Sequence, residues 1–397
     1  MAEPCHSTAF REGGLPPLRP INPEFEAQRA VDAIIVKLSA RCNLACDYCY
    51  WFRDDSVLGA SRLMASLTVE KLLFRLREHI VSHVLSDFTI VLHGGEPLLF
   101  PKARFFRLCE RLRQLEAESG CTLHICLTTN GVLLDDDWAV ILAYFRVSCT
   151  VSIDGPPELH DRHRPDLRGR ETHPRVLEGI ACLRAVGLEP GILAVADPFQ
   201  DPAALLDYFV TELGVSELDV LIPDAVYGDA PPPIADFLIG LFDHWHDHLA
   251  DSGLRVRFID AVIRGLAGLR SGVESIGYGP VTAATITSDG GIEAHDVCRI
   301  AGGVASELGL ATHPLDAIRD DPSWRRIFAA SLELPDECLS CAWRHACGGG
   351  HIASRWSAER DFANPSVYCS DLKRFFFHVW HKIAPDLVYV AVEPTDA

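Results

Sequence analysis

Three cysteines, Cys42, Cys46 and Cys49, stand in a CxxxCxxC run inside Lys37–Tyr50. The run follows an apolar segment that reads as the first β-strand. It therefore falls in the loop at a strand's C-terminal end, where parallel α/β folds place their active sites. Three thiolates on one short loop can each hold one iron of a cubane, leaving the fourth iron without a protein ligand. An open metal position marks a catalytic site rather than a closed structural one. The competing readings are a zinc site short of one ligand, a redox CxxC pair, and chance. The fourth ligand of such a zinc site would have to come from far along the chain, so the open iron–sulfur cluster is favoured.

A second group contains Cys338, Cys341 and Cys347, with Cys369 close behind. Four cysteines make a closed site, and spacing alone allows either structural zinc or a 4Fe–4S cluster. The other seven (Cys5, Cys109, Cys121, Cys126, Cys149, Cys182 and Cys298) are scattered and read as small buried hydrophobes. Other chemistry-bearing segments each follow an apolar run: Gly94-Gly95-Glu96-Pro97, Thr129-Asn130-Gly131, and Ser152-Ile153-Asp154-Gly155 with Arg164 behind it. Each contains dipeptides that also serve as plain turns.

The elements that must carry these segments alternate. Apolar, β-branched runs at Asp32–Ser39, Asp87–His93, Leu123–Thr129, Val147–Asp154, Gly191–Ala196 and Leu218–Pro223 suit strands buried on both faces. Between them, Leu67–Leu85 (with Ser66 as candidate N-cap), Leu134–Phe145, Pro174–Val186 and Pro202–Glu212 show helical spacing. This βαβ alternation predicts an α/β fold on a parallel sheet, either doubly wound or an incomplete barrel. After residue 223 the pattern breaks at Ala230-Pro231-Pro232-Pro233. A helix over Ile234–Leu249, a hairpin over Ala283–Asp296 and a closing helix over Asp371–Ile383 follow. The predicted division is an irregular lead-in over 1–30, an α/β unit over 31–230 and a cysteine-bearing unit over 231–397.

Composition bounds the rest. Of 397 residues, 48% are hydrophobic and 23% charged, which fits a globular protein and not a disordered one. No apolar run reaches the roughly 20 residues that span a bilayer. The N-terminus has no signal-peptide core, so cytoplasmic location is expected. In that setting 14 cysteines indicate metal or redox chemistry rather than disulfides. A net charge of −19 argues against nucleic-acid and anionic-membrane partners.

With the aromatic Tyr48 before its last cysteine, the CxxxCxxC run resembles the radical S-adenosylmethionine superfamily. The resemblance implies a partial (β/α)6 TIM-type barrel and a three-cysteine 4Fe–4S cluster chelated by S-adenosylmethionine. Reductive cleavage then gives a 5′-deoxyadenosyl radical. It further implies cofactor contacts from Tyr48, from Gly94, Gly95, Glu96 and Pro97 toward the methionine amino group, and from Asn130 and Ser152. Arg164 would face the methionine carboxylate, a solvated arginine being the alternative. Residues 338–369 resemble the SPASM extension of peptide-modifying radical enzymes. Cys338, Cys341, Cys347 and Cys369 would hold an auxiliary 4Fe–4S cluster able to accept the product electron. The ligands of a further auxiliary cluster are lost, His295 and His351 standing at two of their positions as ordinary histidines or, less favoured, metal ligands. Asp296 aligns with a base proposed in sulfatase-maturating enzymes, a structural aspartate being the alternative. Arg344–His351 and the 364–372 block are similar to the branch of cyclophane-forming maturases of ribosomally made peptides. A precursor peptide would then be the substrate, crosslinked between an aromatic ring and a β-carbon. Epimerisation, thioether formation and formylglycine formation are the alternatives, and a non-catalytic peptide-binding protein with structural zinc a distant one. Flavodoxin or ferredoxin would supply electrons. The lead-in is too short for an N-terminal leader-binding domain, so a leader would be read by the core or by a separate protein.

Overall fold

The computed structural model describes residues 21–386. Most of the expected irregular lead-in lies outside them. Its described end instead forms a short helix, α1 (Pro23–Gln28), capped by the Asn22 side chain, which accepts from the Glu24 and Phe25 amides.

Six parallel strands carry the N-terminal half: β1 (Ala33–Ser39), β2 (Asp87–Gly94), β3 (Thr122–Thr129), β4 (Ser148–Ser152), β5 (Gly191–Val195) and β6 (Glu217–Leu221). Each pairs with the next in chain order. A doubly wound sheet reverses direction at a switch point. This one does not, which decides for the barrel-type winding that periodicity left open. The sheet curls without closing. A short strand β7 (Arg255–Val256) extends it beyond β6.

The crossovers are α2 (Ser66–His83), α3 (Lys102–Ser119), α4 (Asp136–Tyr144), α5 (Pro157–His163), α6 (His173–Ala185) and α7 (Pro202–Asp207). Three details differ from expectation. Ser66 is not the cap of α2 but its first helical residue; Ala65 stands at the cap with no side-chain bond. α3 occupies a stretch to which the sequence reading assigned no helix, although Phe105, Leu108, Leu112 and Leu115 repeat at helical spacing and are buried. The helix expected over Pro202–Glu212 ends at Asp207 and continues as a π turn over Tyr208–Glu212.

Beyond residue 231 come α8 (Ala235–His244), α9 (Arg257–Leu266) and the hairpin of β8 (Ala284–Ile286) and β9 (Ile292–Glu293). β8 lies parallel to β1, with Ile34 opposite Ala284 and Val36 opposite Ile286. The hairpin thus belongs to the same nine-stranded sheet as the six parallel strands. The remaining helices are α10 (Pro322–Leu332), α11 (Asp336–Leu339), α12 (Arg344–Cys347) and α13 (Cys369–Ile383). The apolar faces of α8 and α13 bury Phe242 and Phe375 near each other. No helix among the described residues is long and apolar enough to cross a membrane.

Candidate active site

The cysteine loop leaves β1 and is clamped from two sides. The Gly95 and Glu96 amides donate to the carbonyls of Ser39 (2.8 Å) and Arg41 (2.9 Å). The Ala45 and Asp47 amides donate to Pro165 (2.9 Å) and His163 (3.3 Å), at the end of α5. The close approach explains the glycine pair. Gly94 has φ of +150°, and a Cβ on it or on Gly95 would collide with the Ser39 or Arg41 carbonyl.

This loop opens onto a cavity of about 890 Å³. Cys42, Cys46 and Cys49 line it, with Tyr48, Gly94, Gly95 and Glu96. Asn130, Ser152, Arg164 and Asp296 line the same cavity. Among the residues expected around the first cluster, only Pro97 does not reach it; it is buried at the start of a short 3-10 turn over Pro97–Leu99. The volume is near the top of the ~300–1,000 Å³ range of single-ligand sites, room for a ligand together with a second reactant.

The donor set fits a cluster. Burial pushes the Cys42 thiol up to about 12 and Cys46 up to about 11, so a nearby cationic centre is what these sulfurs need to ionise. Cys42 Sγ already accepts from the Leu44 amide (3.4 Å) and from Asn130 Nδ2 (3.6 Å), bonds that stabilise a thiolate. Asn130 also donates to Asn43 Oδ1 at 2.9 Å, bracing the loop. Glu96 is fully buried and ties two loops together. It accepts from the Leu98 amide (2.9 Å), the Thr129 hydroxyl (2.7 Å) and the Asn130 amide (2.8 Å). Burial still lifts its carboxyl to about 7 against these bonds. A cationic amine in the cavity would supply the missing charge, which fits S-adenosylmethionine.

Arg164 is not a solvated arginine. It is buried, its Nε donates to Asp154 Oδ2 at 2.9 Å, and its guanidinium lies 5.3 Å from the Tyr48 ring centre. Tyr48 donates its hydroxyl to the same Asp154 oxygen, and Asp154 Oδ1 accepts from the Val195 amide. Burial opposes both charges, but each holds the other ionised. Cys46 lies close enough to Arg164 for the guanidinium to favour its thiolate.

The site contains a charged group that sequence reasoning missed. Lys37 projects from β1 into the cavity wall with no exposed surface. It forms an ion pair with Asp296 and lies 3.3 Å from the Tyr50 hydroxyl and 3.2 Å from His93 Nδ1. Tyr50 donates to Asp296 Oδ2 at 2.6 Å. Burial would raise the Asp296 carboxyl, but Lys37, then His295 and His93, hold it far below the usual range. Its Oδ1 has His295 Nδ1 at 3.6 Å, beyond a hydrogen bond. His295 Nε2 lies 2.5 Å from Glu274, and His351 Nδ1 lies 3.4 Å from Asp224. Both histidines are thus carboxylate-paired on the cavity wall. The one available sequence signal was a lysine inside an otherwise apolar strand.

The second cysteine group surrounds a separate small void. Cys338 sits in α11, Cys347 in α12 and Cys369 at the first residue of α13, with Cys341 between the first two. Gly348, Gly349 and Gly350, all at positive φ, fold the chain back over it. Burial, then the three neighbouring thiols, pushes Cys347 up to about 12, again a set awaiting metal charge. Four thiols around one void make a closed site, suited to a 4Fe–4S cluster or a zinc ion.

Comparison with known proteins follows this geometry. Residues 36–201 match the Radical SAM superfamily. The chain is similar to the cysteine-type anaerobic sulfatase-maturating enzyme of Clostridium perfringens, 24% identical over 371 residues, covering 90% of this chain and 97% of the relative. It is 26% identical over 379 residues to the serine-type anaerobic sulfatase-maturating enzyme of Bacteroides thetaiotaomicron, covering 87% and 89%. Among solved structures it superposes on native anSMEcpe with bound AdoMet and Kp18Cys peptide, with a TM-score of 0.77 and 22% identity, covering 89% of this chain and 98% of that one. Streptococcus suis SuiB bound to precursor peptide SuiA gives a TM-score of 0.58 at 19% identity, covering 82% and 72%.

Proposed function

We propose, from the match of residues 36–201 to the Radical SAM superfamily, that the chain works with S-adenosylmethionine and a 4Fe–4S cluster and oxidises one residue of a peptide substrate. The observation that carries this reading is that Cys42, Cys46 and Cys49 line one cavity together with Tyr50 and Asp296, which Lys37 holds from behind the wall. Near full-length similarity to two sulfatase-maturating enzymes supports oxidation of a Cys or Ser side chain to formylglycine ahead of the aromatic crosslink suggested by the 344–351 and 364–372 segments.

When bound, the cluster and S-adenosylmethionine supply a 5′-deoxyadenosyl radical that takes one hydrogen atom from a substrate carbon. The residues that would hold them are Cys42, Cys46 and Cys49, with Glu96 and the Gly94–Gly95 backbone at the amino group and Arg164 at the carboxylate. Tyr48 and Asp154 fix Arg164, Asn130 braces the cysteine loop, and Ser152 lines the cofactor wall. Oxidation at a side-chain Cβ also releases a proton and a second electron. We assign Asp296 to the proton's exit: held ionised by Lys37, its carboxylate accepts a hydrogen bond from the reacting side chain and orients it. Its Oδ2 is occupied by Lys37 and Tyr50, and its Oδ1 is the oxygen left for substrate. Cys338, Cys341, Cys347 and Cys369 would hold the auxiliary cluster. A small redox protein such as flavodoxin or ferredoxin is the reductant this chemistry requires, and a leader sequence, where the substrate has one, would be read by the core or by a separate protein.

The test is anaerobic incubation of cluster-loaded protein with S-adenosylmethionine, dithionite and two peptide sets, one with Cys or Ser and one with paired aromatics. A product that reacts with a hydrazide probe supports formylglycine formation. Loss of two hydrogens with loss of one ring proton supports the crosslink instead. Deoxyadenosine formation unaffected by any peptide would sink the peptide reading.

A further inference from the structure

Away from the cavity, α2 carries His79 and His83, one helical turn apart and so on one face. Asp316 meets them from the 3-10 turn Leu315–Asp320 in the C-terminal half. The three ligand atoms lie within 4.8 Å of one another. We infer that His79, His83 and Asp316 form a zinc-class divalent-metal site that fastens α2 to the C-terminal half of the chain.

The argument rests on which atoms can carry hydrogen. His79 is almost wholly buried, and its Nε2 lies 2.7 Å from the Val31 carbonyl oxygen. A carbonyl only accepts, so Nε2 carries the proton. In the neutral ring Nδ1 is then a bare lone pair, and it faces Asp316 Oδ2 at 3.2 Å. His83 Nε2 points at the same oxygen at 2.6 Å. A lone pair facing a carboxylate is repulsive unless a proton or a metal ion stands between them.

A metal ion shared by all three groups meets that need. Zinc bonds of about 2.0–2.2 Å to nitrogen and oxygen give tetrahedral edges near 3.3 Å. The His79–Asp316 separation already has this value. The half-buried His83 ring would move back by well under an ångström. A hydrogen bond from the non-ligating nitrogen to a carbonyl is also the usual way a metal-bound histidine is oriented. Val31 plays that part for His79. Arg319 Nη2 stands 3.0 Å from Asp316 Oδ1, at ion-pair distance though not in hydrogen-bond alignment, and braces the carboxylate. Two histidines and one carboxylate leave a fourth position for water, which the partial exposure of His83 and Asp316 permits.

The alternative is a metal-free triad in which His79 is doubly protonated. The two are separated by loading the cluster-bearing protein with one equivalent of zinc, desalting, and measuring zinc, iron and the zinc K-edge absorption. We expect about one retained zinc per chain, a first shell of nitrogen and oxygen only, and a melting temperature several degrees above that of the zinc-free protein. His83→Gln and Asp316→Asn should lose the zinc and the temperature rise while keeping their iron. Sulfur in the zinc shell would place the ion at the cysteines and overturn the proposal. Equal zinc in the wild type and both variants, or no retained zinc, would do the same. The absorption measurement on wild-type protein decides the matter even where a variant folds poorly.

Discussion

Lys37 and Asp296, 259 residues apart in the chain, form a buried ion pair that joins β1 to the segment after the hairpin. Neither charge is tolerable alone at that depth. Burial pulls the Lys37 ammonium down from its usual value, and Asp296 offsets it. Removing one partner of such a pair leaves an uncompensated charge and costs about 3–5 kcal/mol. Lys37→Met and Asp296→Asn should each destabilise the protein by that order. The double variant should cost less than the sum of the two, read as thermal or denaturant unfolding of cluster-loaded protein. Additive losses would mean the two side chains act independently.

The Glu274–His295 pair predicts a pH dependence. Burial disfavours the imidazolium, yet Glu274, then Asp296, lift His295 to about 9 from 6.5. A raised folded value stabilises fully below the unfolded one and loses that contribution as pH rises. Stability should therefore fall between pH 6.5 and about 9, by a few kcal/mol at most. His295→Gln should flatten this part of the profile. An unchanged slope in that variant would assign the effect elsewhere.

Cys46→Ala tests the open cluster. The variant should keep about half the iron of the parent, since the four-thiolate site is untouched, and should form no 5′-deoxyadenosine. Wild-type cleavage of S-adenosylmethionine in this variant would contradict the assignment of the three-thiol loop.

Cys347→Ala separates a structural from a redox role for the second site. Where the variant keeps the parent's melting temperature, deoxyadenosine should still form while peptide product is lost. Parallel loss of both at unchanged melting temperature would count against a redox role. Measuring the two products in one reaction decides between them.

The strands and both cysteine groups were legible because each is written in contiguous residues. Near-continuous apolar runs marked all six parallel strands to within a residue or two, and CxxxCxxC carries its own geometry. α3 was equally written, with Pro101 before it and Gly120 after, but its dense charge masks the apolar stripe. The Lys37–Asp296–Tyr50–His93 group was not legible. No local pattern says that a lysine in an apolar strand will meet an aspartate from the far end of the chain. Arg164 was ambiguous for the same reason: its buried state depends on Asp154 and Tyr48, which only the folded loops bring to it.

The parallel pairing of β8 with β1 also bears on how this protein can be made. Residues 284–286 cannot be added until most of the chain has left the ribosome. Until then β1, the strand that delivers the cysteine loop, has one edge bare, a ready template for aggregation. A fragment stopped near residue 230 would keep that edge permanently and would lack Asp296 to neutralise Lys37. Such a fragment is expected to be insoluble. Low-temperature, slow expression of the full chain should raise the soluble yield.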